Sequence, residues 1–318
     1  MAAFNGEHYI ASQLESIVRQ DRPPDEVVIV DDCSTDGTIK ILEDFFEETV
    51  FDVSIIKNKK NIGYVRSFEK AIQATSGDLI FLCDQDDFWF SDKISRIEST
   101  VIANSKPVII INDLQITDEN LNPTGYTKLA QRRRIGLSDE YFVVGCGSAF
   151  TSEFRSFMKS IPVDLITHDV WLHRLGRLLG CRVVVSDVLQ YYRRHGKNAS
   201  SSAHSEAGNI YIADMLKKSK RRFRGEGRLE YQRRIRLIDI FGEAMDKWQQ
   251  QVDINLPDVR FDQGRAILED ERKSFFLRQE ILDSSKLKSI ILAFRLQTMG
   301  GYKWFNGYKS FLADLVWR

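Results

Sequence analysis

Three of the four residues in Asp84-Gln85-Asp86-Asp87 are carboxylates, and they end the apolar run Leu79-Ile80-Phe81-Leu82-Cys83. Carboxylates at a strand tip repel one another unless a cation or ligand sits among them. Their hard oxygens suit Mg²⁺ or Mn²⁺, which keeps several waters and binds a substrate's phosphates. The competing reading is a solvated acidic turn in which Asp87 caps the next helix. A second apolar run, Glu26-Val27-Val28-Ile29-Val30, also ends in acids, Asp31 and Asp32, followed by Cys33-Ser34-Thr35-Asp36-Gly37-Thr38. Ligands in open α/β sheets bind beyond the carboxyl ends of parallel strands, so two acidic tips on one edge make a polar cleft. Turn chemistry competes for Asp31 and is the preferred reading of Asp36. Asp32 is the better ligand candidate, and Ser34 or Thr35 is expected to cap the helix that starts at Thr38.

These tips need a frame. Glu7 to Gln20 carries a helical stripe of Tyr9, Ile10, Leu14, Ile17 and Val18, broken by Pro23-Pro24. Strand 27–30, helix 38–47, strand 53–56, helix 66–75 and strand 79–83 alternate as a parallel α/β plan. A helix from Asp92 to about Ala103 and a strand from Val108 to Ile111 follow. Residues 118–138, with Arg132-Arg133-Arg134, read as an irregular loop. Gly145-Cys146-Gly147 lets backbone approach a ligand closely, and 182–186 reads as the last strand of this half.

Taken in order, Val30-Asp31-Asp32-x-Ser-x-Asp-Gly-Thr, Asn61-Ile62-Gly63, Ser76-Gly77-Asp78 and Asp84-Gln85-Asp86-Asp87 resemble a family 2 glycosyltransferase of the GT-A fold. Asp84-Gln85-Asp86-Asp87-Phe88-Trp89, His168-Asp169-Val170-Trp171 and Tyr192-Arg193-Arg194-His195-Gly196-Lys197-Asn198 are similar to the bacterial rhamnosyltransferase-like branch. The resemblance covers residues 1–203. It implies a mostly parallel sheet flanked by helices; 204–318, helical in period, reads separately as a helical C-terminal region. It also implies an enzyme that moves a sugar, rhamnose in this branch, from a nucleotide-diphospho-sugar to a glycan or lipid-linked acceptor in surface polysaccharide synthesis.

The resemblance assigns roles residue by residue. Asp86 matches the principal metal ligand, with His195 completing the shell of Mg²⁺ or Mn²⁺ or donating to the diphosphate. Asp84 is expected to contact the sugar-nucleotide, and Asp87 either the sugar or the Phe88–Lys93 turn as a cap. Asp31 and Asp32 join the donor site, as does Arg193, whose planar fork suits phosphate oxygens. Asp169 matches the base that takes the proton of the acceptor hydroxyl. Beside it, Trp171, Gly145 and Cys146 are the expected acceptor contacts. Capping of a helix from Val170 competes for Thr167-His168-Asp169, and a surface basic turn competes for Tyr192–His195. A single carboxylate base favours direct, inverting displacement. Two other readings stay open: a nucleotidyltransferase that makes the sugar nucleotide, and a degenerate, non-catalytic glycan-binding homologue.

The run Met1 to Ile10 looks like the loop that follows the family's first strand. That strand is therefore expected to be missing, through an upstream start or a truncation, which would leave backbone groups unpaired. In related enzymes this loop meets the nucleotide base, and Phe4 matches an aromatic position there. The chain has 318 residues with 45 Lys+Arg against 45 Asp+Glu. This balance argues against a dedicated nucleic-acid partner. No apolar run approaches the roughly 20 residues that span a bilayer, no signal peptide is expected from the first residues, and Cys33, Cys83, Cys146 and Cys181 lack metal spacing. These features read as a cytoplasmic protein with reduced thiols. Beyond the linker Ser200-Ser201-Ser202-Ala203, helices are expected near 206–219, 228–250, 262–284, 286–297 and 302–316. The basic run 217–224 and the aromatic segment 302–317 suit peripheral contact with the inner face of the membrane; a solvated helical bundle is the competing reading.

Overall fold

The computed structural model describes residues 1–46, 49, 51–104, 107–196, 198, 227–251, 259–305 and 307–316. These residues fall in two compact units, one within 1–207 together with Val259, the other within 227–251 and 260–316. Each is described by itself.

The first unit is built on β2 (Glu26–Asp31), whose Val27, Val28, Ile29 and Val30 are all buried. Such a run has no polar face to turn to water, so it must be covered on both sides, as a central parallel strand is. β1 (Ala2–Ala3) and β3 (Asp52–Lys57) flank it, both parallel. α1 (Ile10–Val18) buries Ile10, Leu14 and Ile17, and this stripe shares a core with Ile29 and with Leu42 of α2 (Thr38–Phe45). α3 (Tyr64–Ala74) covers β1 and β2 through a face that buries Phe68, Ala71 and Ile72.

Part of the first strand is therefore present, as Ala2–Ala3. Ala2 and Ala3 stand opposite Val30 and Asp31, the Met1 amine donates to the Val28 carbonyl at 2.7 Å, and Asp32 N donates to Ala3 O at 2.7 Å. A single parallel bridge, Ala2 to Asp84, joins this sheet to the end of β4 (Leu79–Phe81). The second sheet runs β4-β8-β6-β9-β5, with β7 also on β6. Its strands are β5 (Phe88–Trp89), β6 (Ile109–Thr117), β7 (Pro123–Thr127), β8 (Ser148–Thr151) and β9 (Arg182–Arg193). Only β6 and β9 pair parallel there; β8 lies antiparallel to both β4 and β6. The expected mostly parallel sheet thus holds for β1 to β3, whereas the second half is mixed.

Three further expectations are corrected. Residues 118–138 are not an irregular loop: Asp118 accepts from Asn120 N and Asn122 N, which turns the chain so that β7 pairs with β6. The Thr127 hydroxyl then caps α5 (Lys128–Arg134) by accepting from Ala130 N at 3.1 Å. β9 extends to Arg193, so Tyr192-Arg193 ends the strand instead of following it. Phe88-Trp89 form strand β5 before α4 (Lys93–Asn104), leaving no helix for Asp87 to cap.

The second unit is helical: α7 (Gly227–Gln251), α8 (Phe261–Asp283), α9 (Lys286–Thr298), a single tight turn Gly301–Trp304, and α10 (Tyr308–Val316). Leu277, Ile281, Leu292, Leu296, Tyr302 and Phe311 form its core. Within it Arg278 holds Asp314 through two hydrogen bonds of 3.0 and 3.2 Å, and the Tyr302 hydroxyl donates to the same carboxylate at 2.8 Å. The single helix expected over 302–316 is broken, since Gly307 takes the left-handed conformation at φ 55. The expected helix 206–219 and the basic run 217–224 lie outside the described residues. Among the described residues no helix is long and apolar enough to cross a membrane.

Candidate active site

The carboxyl ends of β1, β2 and β4 present three loops that are laced together. In the first, Phe4 N donates to Gln85 Oε1 at 2.9 Å and Gln85 Nε2 donates back to Phe4 O at 3.0 Å. The Gln85 amide thereby imitates a paired strand residue. Gly6 makes the approach possible, because a Cβ there would lie 2.3 Å from Gln85 Oε1. In the second loop, Ser34 Oγ accepts from Asn5 N, Thr38 Oγ1 from Gly6 N, and Asp36 Oδ2 from Glu7 N. Neither Ser34 nor Thr35 caps α2. Asp36 Oδ1 instead accepts from the Thr38 amide at 3.0 Å and hydroxyl at 2.5 Å, the turn chemistry preferred for it. Phe4 stands 43% exposed on this rim, where a planar ligand could stack.

Asp31 and Asp32 are both buried. Asp31 Oδ2 accepts from Ser34 N at 3.0 Å, an Asx-type turn. Asp32 is an anchor: Oδ1 accepts from Ile62 N and Asn58 Nδ2, and Oδ2 from Gly63 N, at 2.8 to 2.9 Å. It thus fixes the Asn61-Ile62-Gly63 turn and the first residue of α3, Tyr64. Gly63 takes φ 86, which a side chain would resist.

The acids of the third loop diverge. Asp84 is half-buried at the bridge to Ala2, and burial, then the charges of Asp86 and Asp169, push its carboxyl up to about 7. Asp86 Oδ2 meets His195 Nε2 at 2.8 Å and Asn198 Nδ2 at 2.9 Å, while its Oδ1 accepts no hydrogen bond among the described residues. The His195 ring stacks on Tyr9 at 4.3 Å. Asp87 turns inward and is fully buried. Its oxygens accept from Gln190 Nε2 at 2.9 Å and Arg193 N at 3.2 Å, and Gln190 in turn accepts from the buried ammonium of Lys93. Asp87 therefore braces β5 and β9 and presents no surface to a donor.

Arg193 braces the same loop. Its guanidinium is buried, donating to Asp86 O at 2.8 Å, Glu119 O at 2.7 Å and Ser12 Oγ at 3.1 Å, over the Tyr9 ring. Three of its five N–H donors are thus committed within the protein, and it holds the Asp86 backbone in place.

Asp169 lies in the first turn of α6 (His168–Leu179), after Thr167 at the N-cap position. Its Oδ1 accepts from Thr167 Oγ1 at 2.5 Å and Val170 N at 2.8 Å. Thr167 thus spends its hydroxyl on Asp169 and caps nothing with its side chain. Gly145 touches this corner: a Cβ there would meet His168 Nε2 at 3.1 Å and Asp169 Cβ at 3.6 Å. The Tyr64 hydroxyl, raised in pKa by burial and by Asp169 and Asp84, lies on the same side. His168 is buried, stacked on Phe68 at 4.2 Å, and neither ring nitrogen has a hydrogen-bond partner among the described residues.

Two of the three expected acceptor contacts are not at the surface. Cys146 is fully buried, and its carbonyl accepts from Lys93 Nζ at 3.1 Å. Trp171, 1% exposed, stacks on Phe157 at 5.0 Å and donates from Nε1 to Phe157 O at 3.1 Å. Trp171→Ala is accordingly expected to cost about 3–5 kcal/mol of folding stability, read by denaturant unfolding, as the loss of a buried aromatic does. Gly145 alone of the three borders Asp169. Sequence reading passed over Tyr9, Tyr64 and Gln85, although a glutamine inside an acid run, with amide donors and an acceptor, is itself a signal of backbone pairing. Lys197 lies outside the described residues.

Two sets of ligand atoms compete for a cation. Asp84, Asp87 and Cys146 bring theirs within 4.8 Å of one another. Burial and the neighbouring acids drive the Cys146 thiol well above its ordinary pKa, and a protonated thiol is a poor partner for a hard ion. Asp86, by contrast, offers an oxygen with no hydrogen-bond partner among the described residues, beside an imidazole and near Asp84, whose carboxyl is pushed up first by burial and then by the charges of Asp86 and Asp169. Oxygen donors of this kind fit Mg²⁺ or Mn²⁺. The four cysteines are free thiols.

Comparison with known proteins follows the same line. The family model described as glycosyl transferase family 2 matches residues 1–159. The dTDP-rhamnosyl transferase RfbG of Shigella flexneri is 27% identical over 214 residues, 62% of this chain and 72% of RfbG. The poly(ribitol-phosphate) beta-N-acetylglucosaminyltransferase TarS of Staphylococcus aureus is 29% identical over 211 residues, 63% of this chain but 36% of TarS. The crystal structure of S. aureus TarS 1-349 in complex with UDP superposes with a TM-score of 0.54 at 14% identity, over 99% of this chain and 79% of that one. The shared architecture is the GT-A fold.

Proposed function

Since the chain belongs to glycosyl transferase family 2, we propose that it transfers a sugar from a nucleotide-diphospho-sugar to a glycan or lipid-linked acceptor in bacterial surface polysaccharide synthesis, with inversion at the anomeric carbon. Residues 1–203 are the catalytic domain in this reading and 204–318 an accessory helical region. The observation that carries it is convergence: the Asp84 carboxylate lies within 4.8 Å of the Cys146 thiol, the preceding Gly145 borders Asp169, and Asp84 feels the charges of both Asp86 and Asp169, which stand 83 positions apart (169 minus 86). One carboxylate thus lies near both a candidate diphosphate site and a candidate base.

In the mechanism, Asp169 accepts the proton of the acceptor hydroxyl as that oxygen attacks the anomeric carbon, and the nucleoside diphosphate leaves. Thr167 and the Val170 amide hold Asp169 Oδ1, so Oδ2 is the oxygen left to take the proton. Asp86 and His195, with Asp84 beside them, would hold Mg²⁺ or Mn²⁺, which supplies charge neutralisation at the diphosphate when bound. Asp31 and Asp32 shape the donor loops, and Phe4 offers a face to the base. The sugar is proposed as a deoxyhexose such as rhamnose, supported by the likeness to RfbG.

The test is a donor screen with dTDP-rhamnose and UDP-N-acetylglucosamine, with and without Mn²⁺. Release of nucleoside diphosphate that depends on Mn²⁺, larger for dTDP-rhamnose, is the expected result. Pyrophosphate release would point to a nucleotidyltransferase, and donor binding without turnover on any acceptor to a degenerate homologue.

A further inference from the structure

We propose that the outer face of α9 and α10 docks on an anionic lipid surface, independently of the transfer chemistry. α9 exposes Leu287 at 72%, Ile291 at 62% and Phe294 at 52%. These positions are spaced by four and three residues, so they lie on one face of the helix. α10 exposes Tyr308 at 64%, Leu312 at 42% and Val316 at 69%, again on one face. The two stripes are joined, because Phe294 meets Phe311 edge-on at 5.3 Å and Tyr308 meets the same ring at 5.8 Å. An isolated exposed leucine needs no explanation, but two adjoining apolar stripes on neighbouring helices form a patch that water does not favour.

Charge selects the occupant. Between Ser284 and Val316 the chain carries Lys286, Lys288, Arg295, Lys303 and Lys309 against one acid, Asp314. Asp314 is buried and spent on Arg278 and Tyr302. Lys288 pairs with Glu280 at 2.9 Å and Lys303 with Asp270 at 2.9 Å. Lys286, Arg295 and Lys309 are exposed and have no acidic partner among the described residues. On the α9 wheel Lys286 borders one side of the stripe, and Lys288 and Arg295 the other. An apolar strip between rows of cations matches acyl chains beneath anionic headgroups. A second copy of the chain would bring the same cations against themselves.

The experiment is flotation of the full-length protein with phosphatidylcholine vesicles, with or without phosphatidylglycerol. Binding is expected only with the anionic lipid, and to weaken as salt rises. The double variant Leu287→Glu/Ile291→Glu should lower the bound fraction about tenfold or more, because it removes two exposed apolar anchors and adds two acids. Lys286→Gln and Lys309→Gln should each weaken binding about fivefold. All four sites are exposed, so thermal unfolding should not move, and the lysine variants carry the test should the double variant melt early. No flotation at low salt would overturn the proposal. So would unchanged binding by both variant sets, which would leave the basic run 217–224 as the contact. Self-association lost in the double variant, without vesicle binding, would assign the face to a second copy.

Discussion

Asp169→Asn is expected to lower sugar transfer by about 10²–10⁴-fold, the range a positioned general base supplies, while donor binding stays nearly unchanged. The local geometry makes this substitution clean. Asp169 Oδ1 receives Thr167 Oγ1 and Val170 N, and an asparagine carbonyl can take both hydrogen bonds in the same place. What changes is the other atom: an amide nitrogen, which cannot take a proton, replaces Oδ2. Losing the charge in the first turn of α6 costs about 0.3–1 kcal/mol through the helix dipole, too little to unfold the chain. Steady-state transfer, calorimetric donor affinity and thermal unfolding, measured together, separate the outcomes. Transfer within about tenfold of the parent enzyme would remove Asp169 from the base role. Equal losses of transfer and donor affinity would make it a donor contact. Asp84 is placed to complicate the reading, since its carboxyl, pushed up to about 7, feels Asp169. Removing that charge is expected to lower the Asp84 pKa, so any low-pH limb of donor binding attributable to Asp84 should move toward lower pH in Asp169→Asn.

Local pattern carried the parts of the fold that local forces decide. The buried strand at 26–31, the helical stripe from Ile10 and the acidic strand tips were legible because apolar period and abrupt polarity change are properties of neighbouring residues. Trp171 shows where that stops. Two residues after Asp169, it is an expected acceptor contact; on a helix, however, positions i and i+2 point to different sides. If Asp169 faces the cleft, Trp171 must face the core, and it stacks on Phe157 there. That error was avoidable from helix geometry. The partners of Arg193 are not legible in this way, because its three acceptors come from Ser12, Asp86 and Glu119, remote in the chain. The first strand falls between these cases. Two alanines carry almost no strand signal, and only their register against Val30 and Asp31 makes them β1. The β7–α5 segment was hidden by its polarity, although Asp118, Asn122 and Thr127 are the turn and cap residues such a hairpin needs.

Asp86→Ala is the second substitution with a large expected effect, and paired with Cys146→Ser it decides where a cation binds. If Asp86 and His195 hold Mn²⁺, removing the free Oδ1 should weaken Mn²⁺-dependent donor binding by more than the roughly 10–100-fold seen when only an outer partner of a metal ligand is lost. The residual, metal-free affinity should match that of the parent enzyme in EDTA. Cys146→Ser should leave the Mn²⁺ dependence intact, because the Cys146 thiol is buried and held protonated by burial beside Asp87 and Asp84. The converse pattern, with Cys146→Ser losing metal dependence and Asp86→Ala keeping it, would move the ion to the Asp84–Asp87–Cys146 set. Folding does not confound the comparison, since Arg193 grips the backbone carbonyl of residue 86 and not its side chain. His195 would keep its stack on Tyr9 and its backbone bond to Asn198, so the loop should stay in place after Asp86 is shortened. A fall in metal-dependent affinity without a fall in melting temperature is therefore the signature of a lost ligand, and calorimetric titration of donor with and without EDTA reads it directly.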